Sequence, residues 1–161
     1  MAYPYRSILC PVAFDDPSLL ALGVAKEIAA HHGATLHVLH VAPTLGAIGE
    51  PEVSETPKSP GELKARTTLQ EIASRHLGGM QYEIHTASST ERAFAKAVVR
   101  VAKEVDADLI VLKTHGRTGL SHLILGSVTE EVVRTAPCPV LTLTSAAREK
   151  AAHLKLQTAD A

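Results

Sequence analysis

Apolar and polar positions along this chain follow two alternating periods. Five short runs rich in aliphatic and β-branched residues read as strands: Ser7–Phe14, Thr35–Val41, Tyr82–Ala87, Asp108–Thr114 and Pro139–Thr144. The first and fourth, around Ile8-Leu9-Cys10 and Leu109-Ile110-Val111-Leu112, are apolar without strict alternation, as central strands covered on both faces should be. The fifth sets Val140, Thr142 and Thr144 against Leu141 and Leu143, which suits an edge or interface strand.

Helical patterns separate these runs. Asp16-Pro17 supplies an N-cap and a first-turn proline for a helix that runs to His31-His32 and stops at Gly33. Ser59-Pro60-Gly61-Glu62 reads as a capping box before a stripe of Ala65, Leu69, Ile72, Ala73, His76 and Leu77. Ser88-Ser89-Thr90-Glu91 reads as a second box before Phe94, Ala97, Val98, Val101, Ala102 and Val105. A last helix spans Ser127 to Thr135, ahead of Pro137. Strands alternating with helices imply a parallel sheet and an α/β class. Residues 42–58 are rich in Pro, Gly and Glu without periodicity, so 43–58 reads as a mobile surface loop rather than a linker. Residues 1–145 then form one domain, and 146–161 a polar, Ala/Lys-rich tail.

Composition narrows the function. A chain of 161 residues, 45% hydrophobic and 20% charged, suits one globular domain. Its net charge of −1 lacks the basic footprint of a nucleic-acid binder. No apolar run reaches the ~18 residues of a membrane helix. Met1–Arg6 has no signal-peptide core, so the expected location is cytoplasmic. Cys10 and Cys138 sit in apolar contexts far apart and read as buried free thiols.

Ligands of open α/β sheets bind at the carboxyl ends of strands near the topological switch point. The segment after the fourth strand, Lys113 to Glu130, carries the candidate chemistry. Gly116 and Gly119 permit close backbone approach, and Gly126-Ser127 opens a helix whose amides on Val128 and Thr129 suit phosphate oxygens. Ser127-Val128-Thr129-Glu130 is equally a capping box, and the two roles can coexist. No P-loop, no Gly-x-Gly-x-x-Gly after the first strand and no Gly-x-Ser-x-Gly elbow occurs. His115 and His122 lack an evident nucleophile or carboxylate partner, so no catalytic residue is assigned. His37 and His40 lie three apart on one strand, hence on opposite faces, and no metal site is assigned. Asp106 and Asp108 read as helix-ending residues that solvate a turn.

From Tyr5 to Thr144 the chain resembles the universal stress protein family. Three blocks carry the likeness: Arg6-Ser7-Ile8-Leu9-Cys10-Pro11-Val12; Gly33-Ala34-Thr35-Leu36-His37-Val38-Leu39-His40-Val41; and Ala107–Leu112 with Gly116-Arg117-Thr118-Gly119, Gly126-Ser127-Val128 and Ala136-Pro137-Cys138-Pro139-Val140. The resemblance implies an open, doubly wound, Rossmann-like sheet of five parallel strands ordered 3-2-1-4-5, with helices on both faces. It further implies a homodimer and ATP binding through Gly-x-x-Gly-(nine residues)-Gly-[Ser/Thr]. Gly116, the residues Arg117–Leu125, Gly126 and Ser127 fit the later part of that pattern. Carried over, the ATP contacts fall on Pro11, Val12, Val41, Gly116, Arg117, Gly126, Ser127, Val128 and Thr129, with Mg accompanying the nucleotide.

Two positions depart from the pattern. Lys113 stands where its first glycine would be, and Ala13 stands where nucleotide-binding members carry an aspartate. Losing that carboxylate removes hydrogen bonds of about 1 kcal/mol each, about five- to tenfold in affinity. The leading expectation is a stress-response protein that binds an adenine nucleotide with little or no hydrolysis. The alternative is a dimeric interaction module with a degenerate pocket; a slow hydrolase using His115 or Ser127 is a third reading. The unguarded fifth strand, Pro139–Thr144, is the expected homodimer edge.

Overall fold

The computed structural model describes residues 4–44, 52–54, 56–57, 59–114 and 127–144. Its elements are β1 (Ser7–Pro11), α1 (Asp16–His32), β2 (Thr35–Pro43), β3 (Glu52–Ser54), α2 (Pro60–His76), β4 (Tyr82–Ser89), α3 (Phe94–Glu104), β5 (Leu109–Lys113), α4 (Ser127–Thr135) and β6 (Val140–Leu143). The sheet order is β3-β4-β2-β1-β5-β6. Five of these strands, β4-β2-β1-β5-β6, run parallel in the expected 3-2-1-4-5 order. Among the described residues no helix is long and apolar enough to cross a membrane.

Alternation along the central strands splits the core into two layers. Ile8 and Cys10 of β1, Leu36 and Val38 of β2, and Leu109 and Val111 of β5 pack on Leu22, Ala25 and Ala29 of α1 and Leu69 and Ala73 of α2. Leu9, Leu39, Ile110 and Leu112 face the other way, onto Val98, Val101 and Ala102 of α3 and Val132 of α4. Ile8, Leu9 and Ile110 have no exposed surface, so β1 and β5 are covered on both faces as their unbroken apolar runs require. Cys10 lies in the first layer, where burial pushes its thiol up to about 12 and leaves it unreactive. Cys138 is free and only half-buried.

Four local readings are corrected. The loop assigned to 43–58 contains β3, which pairs antiparallel with Thr86–Ser88 of β4 and so covers that edge of the sheet. The N-cap of α1 is Asp15, not Asp16: its Oδ1 accepts from the Ser18 N–H at 2.8 Å, and Pro17 falls inside the first turn. Ser88 and Ser89 belong to β4, which runs past Ala87 because β2 pairs with it as far as Pro43 and Ser89. Thr90 then leads through a single 3₁₀ turn, without a side-chain cap, into α3. Asp108 is not a solvated turn residue. Its carboxylate accepts from the N–H of Arg6 at 2.8 Å and of Ser7 at 3.3 Å, which pins the start of β1 beside β5. The stop of α1 at Gly33 stands as read: its φ of 66° is left-handed, and its N–H donates to the Ala29 carbonyl.

Candidate functional site

The chain passes from β1 to β2 on one side and returns to β5 on the other, so β1 and β5 flank the switch point of the sheet. A cavity of about 230 Å³ opens there, at the carboxyl ends of the strands. Pro11 at the end of β1, with Val12 and Ala13 after it, forms one wall. Leu39 and Val41 come from β2, Leu112 and Lys113 from the end of β5, and Val128, Thr129 and Val132 from α4. Phe94 and Val98 of α3, and Ser18 of α1, complete the lining. The wall is mainly apolar, and the Lys113 ammonium is its cationic group among the described residues. The start of α4 adds the positive end of a helix dipole.

Local hydrogen bonds hold the β1–α1 turn in shape. The Val12 N–H donates to the Leu39 carbonyl at 2.8 Å, and the Val12 carbonyl accepts from His40 Nδ1 at 3.0 Å. The Ser18 hydroxyl oxygen accepts from the Ala13 N–H at 3.1 Å. Phe14 takes a left-handed φ of 62° and stacks on His40, ring centroids 3.8 Å apart and planes 14° apart. A β-carbon residue in that region is strained, so the capping box and the ring stack together fix this turn. With Val12 engaged at both backbone groups and the Ala13 N–H held by Ser18, this wall offers a ligand van der Waals surface rather than amide donors.

Val41 offers the complementary chemistry. The Leu39 backbone bonds toward β1, and the two-residue alternation turns the Val41 N–H and C=O to the same side. But β1 ends at Pro11, opposite Leu39. Beyond it, the Val41 backbone presents one donor and one acceptor at the cavity mouth, where an adenine edge needs both.

Of the nine expected contacts, the structure brings Pro11, Val12, Val41, Val128 and Thr129 around one cavity. Ser127 begins α4 beside them. Gly116, Arg117 and Gly126 lie outside the described residues. Ala13 and Lys113, the two departures from the family pattern, both line the cavity. The apolar floor of Leu39, Phe94, Val98, Leu112 and Val132 was missed as a site. Its signal was present as parity, since Leu39 shares a strand face with Val41, but helical stripes such as Phe94 and Val98 read as plain core.

His40 makes this turn sensitive to acid. Burial lowers its pKa from the ordinary 6.5, against the opposing effect of its bond to Val12. The folded state therefore holds that proton more weakly than the unfolded chain. Stability is full above 6.5 and falls as pH drops through 6.5 toward the lower folded value. His37, also lowered by burial, contributes in the same direction. The thermal midpoint is expected to fall between about pH 7.5 and about pH 5.5, and less steeply in His40→Gln, whose amide still donates to Val12 without titrating. Parallel melting curves of the two proteins would disprove the assignment.

The chain matches the sequence profile of the universal stress protein family over residues 4–144. It is 34% identical over 152 residues to a universal stress protein of Methanocaldococcus jannaschii, an alignment covering 90% of this chain and 85% of that protein. A universal stress protein solved in complex with cAMP superposes with a TM-score of 0.66 at 26% identity, covering 88% of this chain and 98% of the other. The universal stress protein of Archaeoglobus fulgidus in complex with dAMP gives a TM-score of 0.62 at 25% identity, covering 87% and 98%. An open, mostly parallel α/β sheet with a cavity at its switch point defines the class of doubly wound α/β proteins. Within that class, the chain belongs to the universal stress protein family.

Proposed function

We propose that this chain is a stress-response protein that binds an adenine nucleotide, ATP, in the switch-point cavity with little or no hydrolysis. The observation that carries this is that β1 stops pairing at Pro11, opposite Leu39, while Val41, two residues further along β2, lines an apolar cavity wide enough for a purine. In this reading Val41 meets the adenine edge, and Pro11 and Val12 pack against the nucleoside. The amides of Val128 and Thr129 at the start of α4 meet the phosphates, and Gly116, Arg117, Gly126 and Ser127 complete the phosphate site. Lys113, in the cavity wall, adds the charge that the missing glycine does not, and Mg accompanies the phosphates. The cAMP and dAMP complexes of related structures support an adenine ligand. Ser18 is committed to the cap of α1, and no side chain lining the cavity among the described residues is a general base.

Ala13 supplies the test. It lines the cavity and is exposed, so an aspartate there has room to accept from the nucleoside. One restored hydrogen bond adds about 0.5–1.5 kcal/mol, so Ala13→Asp is expected to bind ATP about two- to tenfold more tightly in calorimetric titration. The wild type is expected to bind one ATP per chain. No binding by either protein, with no nucleotide released when purified protein is denatured, would sink the proposal.

We further infer that the chain pairs with a second copy of itself along β6. That strand closes the sheet order, and no described strand lies on its outer side. Leu141 there is 37% exposed, an apolar side chain on an uncharged edge. Antiparallel pairing about a two-fold axis would satisfy the backbone and cover Leu141. Leu143 packs partly on the core, so the clean disruption is Leu141→Lys alone. Light scattering is expected to show a dimer for the wild type and a monomer for Leu141→Lys. A variant that stays dimeric would move the interface elsewhere.

A further inference from the structure

Among the described residues, the ligand atoms of His37, Glu83 and His85 all lie within 4.8 Å of one another. The sheet itself assembles them. Parallel pairing sets His37 of β2 opposite Glu83 of β4, and His85 follows two residues on, on the same face. Leu39 and Ala87 continue those rows into the layer under α3, so the trio sits at the amino-terminal side of that layer, on the far side of Leu39 from the cavity mouth. His37 is buried, His85 is half-buried, and the Glu83 side chain is 58% exposed.

We propose that His37, Glu83 and His85 bind a divalent transition-metal ion of the zinc class. The donor set, two imidazole nitrogens and one carboxylate oxygen, is the borderline chemistry that zinc takes and magnesium does not. The spacing fits as well. Ligands about 2.0–2.2 Å from a tetrahedral zinc lie about 3.3–3.6 Å from one another. Here His37 Nδ1 is 3.0 Å from His85 Nε2 and 3.5 Å from Glu83 Oε2. His85 Nε2 is 3.9 Å from the same Glu83 oxygen. These three separations bracket the tetrahedral edge, so shifts of a few tenths of an ångström would close the site.

Without a metal, the two rings share one proton across the 3.0 Å gap, which already orients both nitrogens toward a common point. Metal binding shifts that proton to the other nitrogen of the donating ring, with no net release from the neutral pair, and leaves two lone pairs and a carboxylate for the ion. The exposed flank at Glu83 leaves the fourth position to water. Nothing in this site draws on the nucleotide cavity, so it stands whether or not ATP binds there.

The test is a zinc titration of the full, chelator-stripped chain against a chromophoric competitor. The wild type is expected to bind one Zn²⁺ per chain at this site. Loss of an outer partner to a metal ligand already costs about 10–100-fold in affinity, so loss of a ligand should cost at least about tenfold. Glu83→Gln and His85→Gln are therefore expected to bind zinc at least about tenfold more weakly. Both residues reach solvent, and circular dichroism is expected to show each variant folded. Co²⁺ provides a second readout: a tetrahedral visible spectrum in the wild type that is absent from His85→Gln. Zinc-dependent stabilisation in melting experiments should likewise disappear in His85→Gln. A wild type without stoichiometric binding overturns the proposal. So does equal affinity in folded variants, which would place the ion on other histidines such as His31 and His32.

Discussion

Val41→Trp is expected to weaken ATP binding at least ~100-fold while leaving the protein folded. The outcome turns on what the mutation can and cannot remove. The groups proposed to read adenine are the backbone N–H and C=O of Val41, which no substitution deletes. Occlusion is therefore the direct test. Val41 lines the cavity of about 230 Å³, and an indole ring has room there without displacing the buried floor of Leu39 and Val132. It would occupy the volume the purine needs. A hundredfold loss corresponds to about 2.7 kcal/mol. Calorimetric titration measures the affinity, and a melting curve without ligand checks the fold. If the variant melts like the wild type and still binds ATP with wild-type affinity, the adenine does not sit against β2.

Local pattern carries much of this fold, and those parts are legible in the residues themselves. The unbroken apolar runs of β1 and β5 mark two-faced burial, and Gly33 marks the end of α1. What escapes a reading of the sequence depends on partners distant along the chain. β3 has three residues and no hydrophobic period; it exists because Thr86–Ser88 offer it an edge. The second capping box fails for a related reason: pairing with β2 out to Pro43 draws Ser88 and Ser89 into β4 before a helix can begin. At the site, Pro11, Val12, Val41, Val128 and Thr129 are reached through family resemblance, and the structure brings them to one cavity. The floor beneath them looks like ordinary core, because an apolar stripe does not say whether its neighbour is a side chain or a ligand. His37 and His40 are placed correctly on opposite faces by strand parity: one meets His85, the other bonds Val12. Their partners become visible only with the register between β2 and β4.

Asp108 shows the same limit in energetic form, and its removal carries the second large expected effect. In sequence it is one of two carboxylates at the end of a helix. In the fold it joins the first strand to the fifth across about a hundred residues: its side chain accepts from Arg6 and Ser7, and its own N–H donates to the Ser7 carbonyl at 2.9 Å. Ser7 is held a second time by its hydroxyl, which donates to the Val105 carbonyl at 2.8 Å. Asp108→Ala leaves the half-buried Ser7 N–H and the exposed Arg6 N–H without their acceptor. Hydrogen bonds to a charged partner contribute about 1.5–3 kcal/mol, so the loss is expected in that range. For a domain of this size that lowers the thermal midpoint by roughly 4–10 °C. Asp108→Asn keeps one acceptor oxygen and should lose less. It has a second signature, because the carboxylate acts together with burial to raise the pKa of the Cys138 thiol. Removing the charge without removing the side chain should make Cys138 react faster with a thiol reagent, while Cys10 stays silent in its core. A thermal midpoint unchanged in Asp108→Ala would mean that the ladder between β1 and β5 holds the strand without the clamp. An unchanged Cys138 rate in Asp108→Asn would mean that burial alone governs that thiol.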